Sequence, residues 1–565
     1  MKKAEKQRAD SILWGFALRT YPPGENARIH IRFGRIGLVL LCMLVAGWIV
    51  TAGGLYFYFR TGFRFSSHVE KGTDLSWKEV SYWKMLTLPF RMDEHRQELG
   101  DFYLQKAEEA IKEKEMRPAL DLLRLGVTLS PSNLRGRRIL SEFFDYGFKQ
   151  PDDAANILIA GVKRGGYKDR EYMSHVFRFL LYHEYDQRVI KLGEELLDKE
   201  KEEQKEITQM TALATATAFY NLFKFDRAKS YINRYQLDQT AEANVLLAEM
   251  HWKRGEKSEA FQLLEKSAKQ FPYASRINLK ISEYQMAIGE TRKAIRTIIL
   301  AQVANPESLD LAIKVLELLH KDGQTDRLNA SFEEVLEYFA EDEDSCLEIA
   351  KALGDLGLGD FCKRLENKAT QLGIKNNEFP LATLSGYLKS SRYLEAEDLA
   401  NRLLRKSNQW KVGHHKTRLR ALKALASFGL DDPDEGNVHL KEFYRAELDF
   451  PPDEEIHKLA DLFYQQNFKP QARAILMHGK KQFPSYRPIL EDLVRLDLES
   501  RNFAKLPGAI RDMLASRRKE ISLLIECRKM LASDYFLFYP DQKELLSSLS
   551  NTLLKIEEQG ALPES

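Results

Sequence analysis

Ala248–Ala260 reads AEMHWKRGEKSEA, and 34 residues further on Ser282–Ala294 reads SEYQMAIGETRKA. Each stretch opens and closes on a small residue and carries a glycine between the two. That glycine recurs at the same interval, at Gly255, Gly289, Gly323 and Gly357. The small pair recurs with a proline beyond it: Ala107, Ala119 and Pro131; Ala248, Ala260 and Pro272; Ser282, Ala294 and Pro306; Ala460, Ala472 and Pro484. This period holds two antiparallel helices and their turns, a unit that buries its apolar face only against the next copy. The fold class expected is an all-α helical solenoid.

Each residue type has a packing reason. Ala248 and Ala260 let two helix backbones cross closely, where a larger side chain would force them apart. Glycine at the hairpin turn accepts a positive φ. Proline ends the second helix. Leu247, Ile281, Val315 and Ile349 share one repeat position and are expected to form a continuous buried row.

Repeat stacking also reconciles 565 residues with an ordinary 44% hydrophobic content, since no single core has to grow with the chain. Eighty-five basic against 83 acidic side chains leave a net charge of +2, so no global field gathers nucleic acid and none is expected as a partner. The four cysteines, Cys42, Cys346, Cys362 and Cys527, form no CxxC pair and no zinc spacing. Cys362 takes the place of Ala260 and Ala294, which points to core packing; Cys346 approaches it across one hairpin, and free thiols are expected for both.

Between Arg35 and Arg60 lie 24 residues without charge, Ile36–Phe59. At about 1.5 Å per residue this run crosses a hydrocarbon core of about 30 Å. Tyr56, Phe57, Tyr58 and Phe59 supply rings for the headgroup level. A signal peptide cleaved after Ala52 is the competing reading, opposed by the long leader and by the apolar run beyond Ala52. Lys2, Lys3, Lys6, Arg8, Arg19, Arg28, Arg32 and Arg35 precede the span, against Arg60, Arg64 and Lys71 just after it. The basic side stays in the cytoplasm. That places the chain in the inner (cytoplasmic) membrane as a single-pass protein, with the repeats in the periplasm.

The organisation expected is a basic leader at 1–35, the span at 36–59, a juxtamembrane aromatic helix within 60–94, a solenoid at 95–429, an irregular linker at 430–452, and a last solenoid segment with a capping helix at 453–558. Ser76-Trp77-Lys78-Glu79 has a capping-box pattern, so the aromatic helix is expected to run from there to Pro89. It either lies on the lipid surface or closes the end of the solenoid, and the second is favoured because a terminal repeat otherwise bares its apolar face.

Catalytic and phosphate-binding motifs are absent: there is no GxxxxGK[ST], HExxH or GxSxG. His414 and His415 point about 100° apart on a helix and read as solvated, not as a metal pair. Glu341-Asp342-Glu343-Asp344 lacks the calcium-loop spacing and reads as the acidic start of a helix. No cofactor, metal or enzymatic activity is expected.

The period, the glycine and the small-residue pairs resemble the tetratricopeptide repeat (TPR) family over roughly four fifths of the chain. The family tryptophan is missing, and His251 and Gln285 replace its tyrosine. The resemblance implies a right-handed superhelix whose first helices line a concave groove for a protein or peptide partner. In that register Val245, Glu249, Trp252, Lys253, Leu279, Glu283 and Met286 face the groove, with His457, Asp461 and Tyr464 near the other end. Two functions follow: a membrane-tethered scaffold for envelope assembly, or an accessory subunit of a membrane enzyme that is contacted through the span and aromatic helix. The chain is similar in part to bacterial lipopolysaccharide-assembly repeat proteins, but lacks their C-terminal four-cysteine module.

Overall fold

The computed structural model describes residues 8–12, 17–21, 28–31, 33–61, 76–198, 205–407, 410, 412–446, 449–536 and 539–558, with side chains from Leu38 onward. Two units divide the chain, Met1–Val176 and Phe177–Ser565.

In the first unit the leader holds three short antiparallel strands, Arg8–Ile12, Ala17–Tyr21 and Arg28–Ile31, which the sequence reading did not anticipate. Lys2, Lys3, Lys6, Arg32, Arg64 and Lys71 lie outside the described residues. Helix α1 (Phe33–Thr61) covers the expected span and extends past both its ends. Among the described residues it is the one helix long and apolar enough to cross a membrane.

The capping-box expectation is corrected. Residues 76–81 form a turn, helix α2 is only Tyr82–Leu86, and Pro89 sits inside a single 3-10 turn, Leu88–Phe90. The reason lies in Trp77. Its N–H donates to Phe59 O at 2.8 Å, and its ring packs among Phe59, His95 and Phe102 with centroids 5.9, 5.8 and 5.5 Å away. Burying that ring between α1 and helix α3 (Met92–Lys112) takes residues 76–81 off a helical path. The aromatic segment thus packs on α3 while also lying against α1.

Helix hairpins follow. In the second unit they include Ala241–Lys253 with Lys257–Gln270 and Ser275–Ala287 with Thr291–Ala304. The four periodic glycines hold φ of 83°, 82°, 72° and 82° at the turns inside their hairpins. Lys114, Lys149, Glu184, Phe223, Ser391, Asp431, Asn467 and Arg501 hold the same left-handed turn position in other hairpins. At the crossings Ala248, Ala260, Ser282 and Ala294 are fully buried. Cys362 Sγ donates to Ala350 O at 3.6 Å across one crossing, and the cysteines are free. Ile281, Val315 and Ile349 form the expected buried row, but Leu247 is only half-buried.

Within 430–452, Pro433–Arg445 corrects the expectation of an irregular linker. Asp432 caps helix Pro433–Arg445 by accepting from Glu435 N–H at 3.0 Å, and that helix packs on Gly413–Gly429 as an ordinary hairpin. The last described helix, Gln542–Glu557, buries Leu545, Leu549, Leu553 and Ile556.

Candidate functional site

Glu249, Glu283, Glu317, Lys351 and Ser385 succeed one another at intervals of 34 residues on the first helices of successive hairpins. One helical turn later, Lys253, Lys321, Asp355 and Lys389 fall in the same register. Residues four apart share a helix face, so the two positions make one ionisable strip along the first helices.

The structure assembles this strip in two places. In the first, Lys280 Nζ joins Glu249 and Glu283, each at 2.8 Å. Lys253 Nζ lies over the Tyr220 and Phe223 rings at 4.6 and 5.2 Å. Burial lowers its pKa, against the pull of Glu249 and Glu520. Burial and Glu249 also raise the Tyr220 hydroxyl.

The second place is a pocket of about 470 Å³ between the first helices Glu343–Asp355, Glu378–Lys389, Gly413–Gly429 and Asp453–Gln465. Its ionisable lining includes Lys351, Asp355, Lys389, Arg418, Lys458 and Asp461. Lys458 Nζ bridges Asp355 at 3.2 Å and Glu454 at 3.3 Å. Burial opposes its charge, yet these two carboxylates hold its pKa above the ordinary value. Burial raises the Asp461 carboxyl, against Lys389 and His457.

Behind Arg418 lies a buried network. His415 Nε2 is 2.7 Å from Glu378 Oε1, and Arg418 donates to Glu378 Oε2 at 2.8 Å. Despite burial, these partners hold Glu378 down at about 2. His415 is buried, which corrects the expectation of a solvated ring, and burial lowers the pKa of the half-buried His414. Candidate ligand atoms of Glu378, His414 and His415 lie within 4.8 Å of one another. Both Glu378 oxygens are already engaged, one of them by a guanidinium.

The expected groove residues divide accordingly. Glu249, Lys253 and Glu283 sit together in the first place, and Asp461 lines the pocket. His457 Nδ1 lies 2.6 Å from Asp492 Oδ2, which raises its pKa. Tyr464 donates to Glu499, which pushes its hydroxyl up to about 12. Val245 is a correction: it is 2% exposed, inside the core. Trp252 is another, being half-buried and stacked on Tyr284 with centroids 3.9 Å apart, edge-on to Phe261. Leu279 and Met286 are half-buried against the neighbouring core. Apolar side chains at these positions fill the seam between hairpins. Lys351, Asp355, Lys389 and Lys458 were missed, although stepping the register of Glu249 and Lys253 forward reaches the first three.

No protein-family model and no curated protein matches the sequence. Solved structures similar to it include Naa15/Naa10 bound to HypK-THB, with 13% identity, 92% of this chain and 79% of that chain covered, and a TM-score of 0.26. A tetratricopeptide repeat protein from Parabacteroides merdae covers 45% of this chain and 97% of its own at 13% identity and a TM-score of 0.26. Yeast Tom70 covers 84% and 92% at 12% identity and a TM-score of 0.28. The fold itself rests on the hairpin period, turn and crossing described above. It is a TPR-type helical solenoid. Its ionisable strip lies on the first helices of the TPR-type hairpins, and the pocket is the recess where four of them converge.

Proposed function

We propose that the chain is a membrane-tethered TPR-type scaffold that binds a protein or peptide partner in a bacterial cell envelope, in assembly of a secretion, polysaccharide-export or cell-wall complex. On this reading it catalyses nothing itself. Helix α1 holds it in the inner membrane, its N-terminus is cytoplasmic, and the solenoid is periplasmic. Tethering raises the effective concentration of a weakly held partner.

The observation that carries the reading is the pocket of about 470 Å³, where first helices of four hairpins present lysines and carboxylates around one recess. Such alternation suits a chain segment with both charges better than a small apolar ligand, which favours a predominantly apolar cavity. A second reading, an accessory subunit contacted through α1 and the aromatic segment, is favoured by the exposed rings of Trp83 and Phe90.

Crosslinking and copurification of the full-length chain from membranes separates the two. Lys351→Glu with Lys389→Glu should abolish partner capture, while Trp83→Ala with Phe90→Ala should not. The reverse pattern would sink the scaffold reading and support the accessory one.

A further inference from the structure

The chain beyond α1 turns back along it. Trp77 N–H meets Phe59 O at the far end of the helix, at 2.8 Å. From there Tyr82 Oη reaches Ile49 O at 3.3 Å, and Trp48 Nε1 donates to Leu86 O at 2.7 Å. Phe59 and Trp48 are separated by about 16 Å along the axis, at about 1.5 Å per residue. A hydrocarbon core is about 30 Å thick. Were Trp48–Thr61 outside the lipid, Ile36–Gly47 would supply about 18 Å, well short of what crossing needs. Whatever depth Trp48 reaches, Leu86 reaches with it.

We infer that residues 82–92 form a membrane wedge, sunk into the leaflet on the solenoid side with Trp83, Phe90 and Met92 against acyl chains. This rests on the reading of α1 as a span.

Three observations support it. Phe90 is 94% exposed, Trp83 71% and Met92 58%, a cluster of large apolar side chains that water disfavours. Backbone within lipid must satisfy its polar groups inside the protein. Part of this is met here: four N–H groups of the segment, those of Met85, Thr87, Phe90 and Arg91, bond to the Ser81, Trp83, Thr87 and Leu88 carbonyls, and Leu86 O takes the Trp48 indole. The charges of the segment are also paired: Glu98 holds Lys84 at 3.0 Å and Arg91 at 2.8 Å, and Glu94 holds Arg91 at 3.1 Å.

The test is nitroxide labelling of the full chain in phosphatidylcholine–phosphatidylglycerol vesicles, in a Cys42→Ser background. The three other cysteines are buried and take no label. Labels go at Phe90→Cys, at Leu44→Cys in α1 and at Tyr338→Cys on the solenoid, all exposed positions that leave the packing intact. Power saturation then compares collisions with oxygen, which partitions into lipid, and with a water-soluble nickel chelate. Oxygen should dominate at 44 and 90, and the chelate at 338. Chelate dominance at 90 with oxygen dominance at 44 would overturn the wedge and leave the span standing. Chelate dominance at both 44 and 90 would overturn the two together.

Discussion

Arg518 clasps Asp186 through two parallel hydrogen bonds, Nε to Oδ2 at 2.8 Å and Nη2 to Oδ1 at 2.9 Å, across 332 residues of chain. Asp186 is 1% exposed, and Asn221 donates to it as well, at 2.8 Å. The same turn receives Arg517 over the Tyr185 ring at 4.2 Å and Arg487 on Glu184 at 2.7 Å. A solenoid stabilised only by nearest neighbours has no such tie between distant repeats. Within the second unit, late hairpins are bound to an early turn.

Removing one partner of a buried pair strands the other charge, at a cost of about 3–5 kcal/mol. Arg518→Ala should therefore lower the urea midpoint sharply and raise amide exchange at both 181–186 and 516–519. Arg517→Ala, which loses an exposed cation–π contact and an exposed hydrogen bond to His183 O at 3.2 Å, should cost less, about 1 kcal/mol. An Arg518→Ala chain that melts with the wild type would show that the clasp adds no stability.

Ala260 is fully buried at its helix crossing. Leucine there overpacks the site by three carbons, so Ala260→Leu should cost about 1–3 kcal/mol in denaturant melts. Glu283→Leu, on an exposed first-helix position, loses only one bond to Lys280 and should stay within about 0.5 kcal/mol of wild type. Equal melts for both variants would place Ala260 outside the crossing.

What the sequence revealed followed from how local each constraint is. Gly255 and Ala260 report a turn and a crossing made inside one hairpin, and both were legible. The turn register runs on through Lys114, Phe223 and Arg501, where no glycine marks it, because the surrounding hairpin imposes the left-handed conformation on residues that do not favour it. Asp431 holds the same position, and for that reason its sequence resembles a linker. Trp77 was misplaced because burial against Phe59 and Phe102, distant in sequence, outweighs a local capping pattern. Register alone points Val245 and Trp252 into the groove, because it gives a residue's angle on the helix but not how closely the next hairpin approaches. Asp461 and Glu249, which share a register position with each other, lie on the charged strip.

The glycines separate two kinds of cost. Gly323 has φ of 72° with open space where a Cβ would stand, so Gly323→Ala meets backbone strain alone, about 1 kcal/mol. In Gly386→Ala the new methyl would lie 2.7 Å from both Cα and N of Gly359, and backbone cannot rotate out of the way. That variant should be the less stable of the two by thermal melt, and Gly323→Asn should recover part of the first loss, since asparagine tolerates the left-handed region. Identical melting of Gly386→Ala and wild type would mean that these helices do not approach so closely.

Two ionisable sites set opposite pH limits. Glu378 has its folded pKa depressed to about 2, through His415 and Arg418 against burial, whereas an unfolded glutamate titrates near about 4.3. Its contribution is fully present above the unfolded value and is lost as pH falls toward about 2. Linkage puts that contribution on the order of 3 kcal/mol. His457 is the reverse case. Asp492 raises its folded pKa above the unfolded value of about 6.5, so its contribution is complete below about 6.5 and disappears as pH rises through the raised value. Urea midpoints should therefore fall at both ends of the range. Glu378→Gln should be less stable than wild type at neutral pH, because His415 and Arg418 lose their anion, and its midpoint should change less between pH about 4.5 and about 2. His457→Asn should flatten only the other side, above about 6.5. An acid limb of unchanged slope in Glu378→Gln would assign that limb to other carboxylates and remove the buried network from the account of stability.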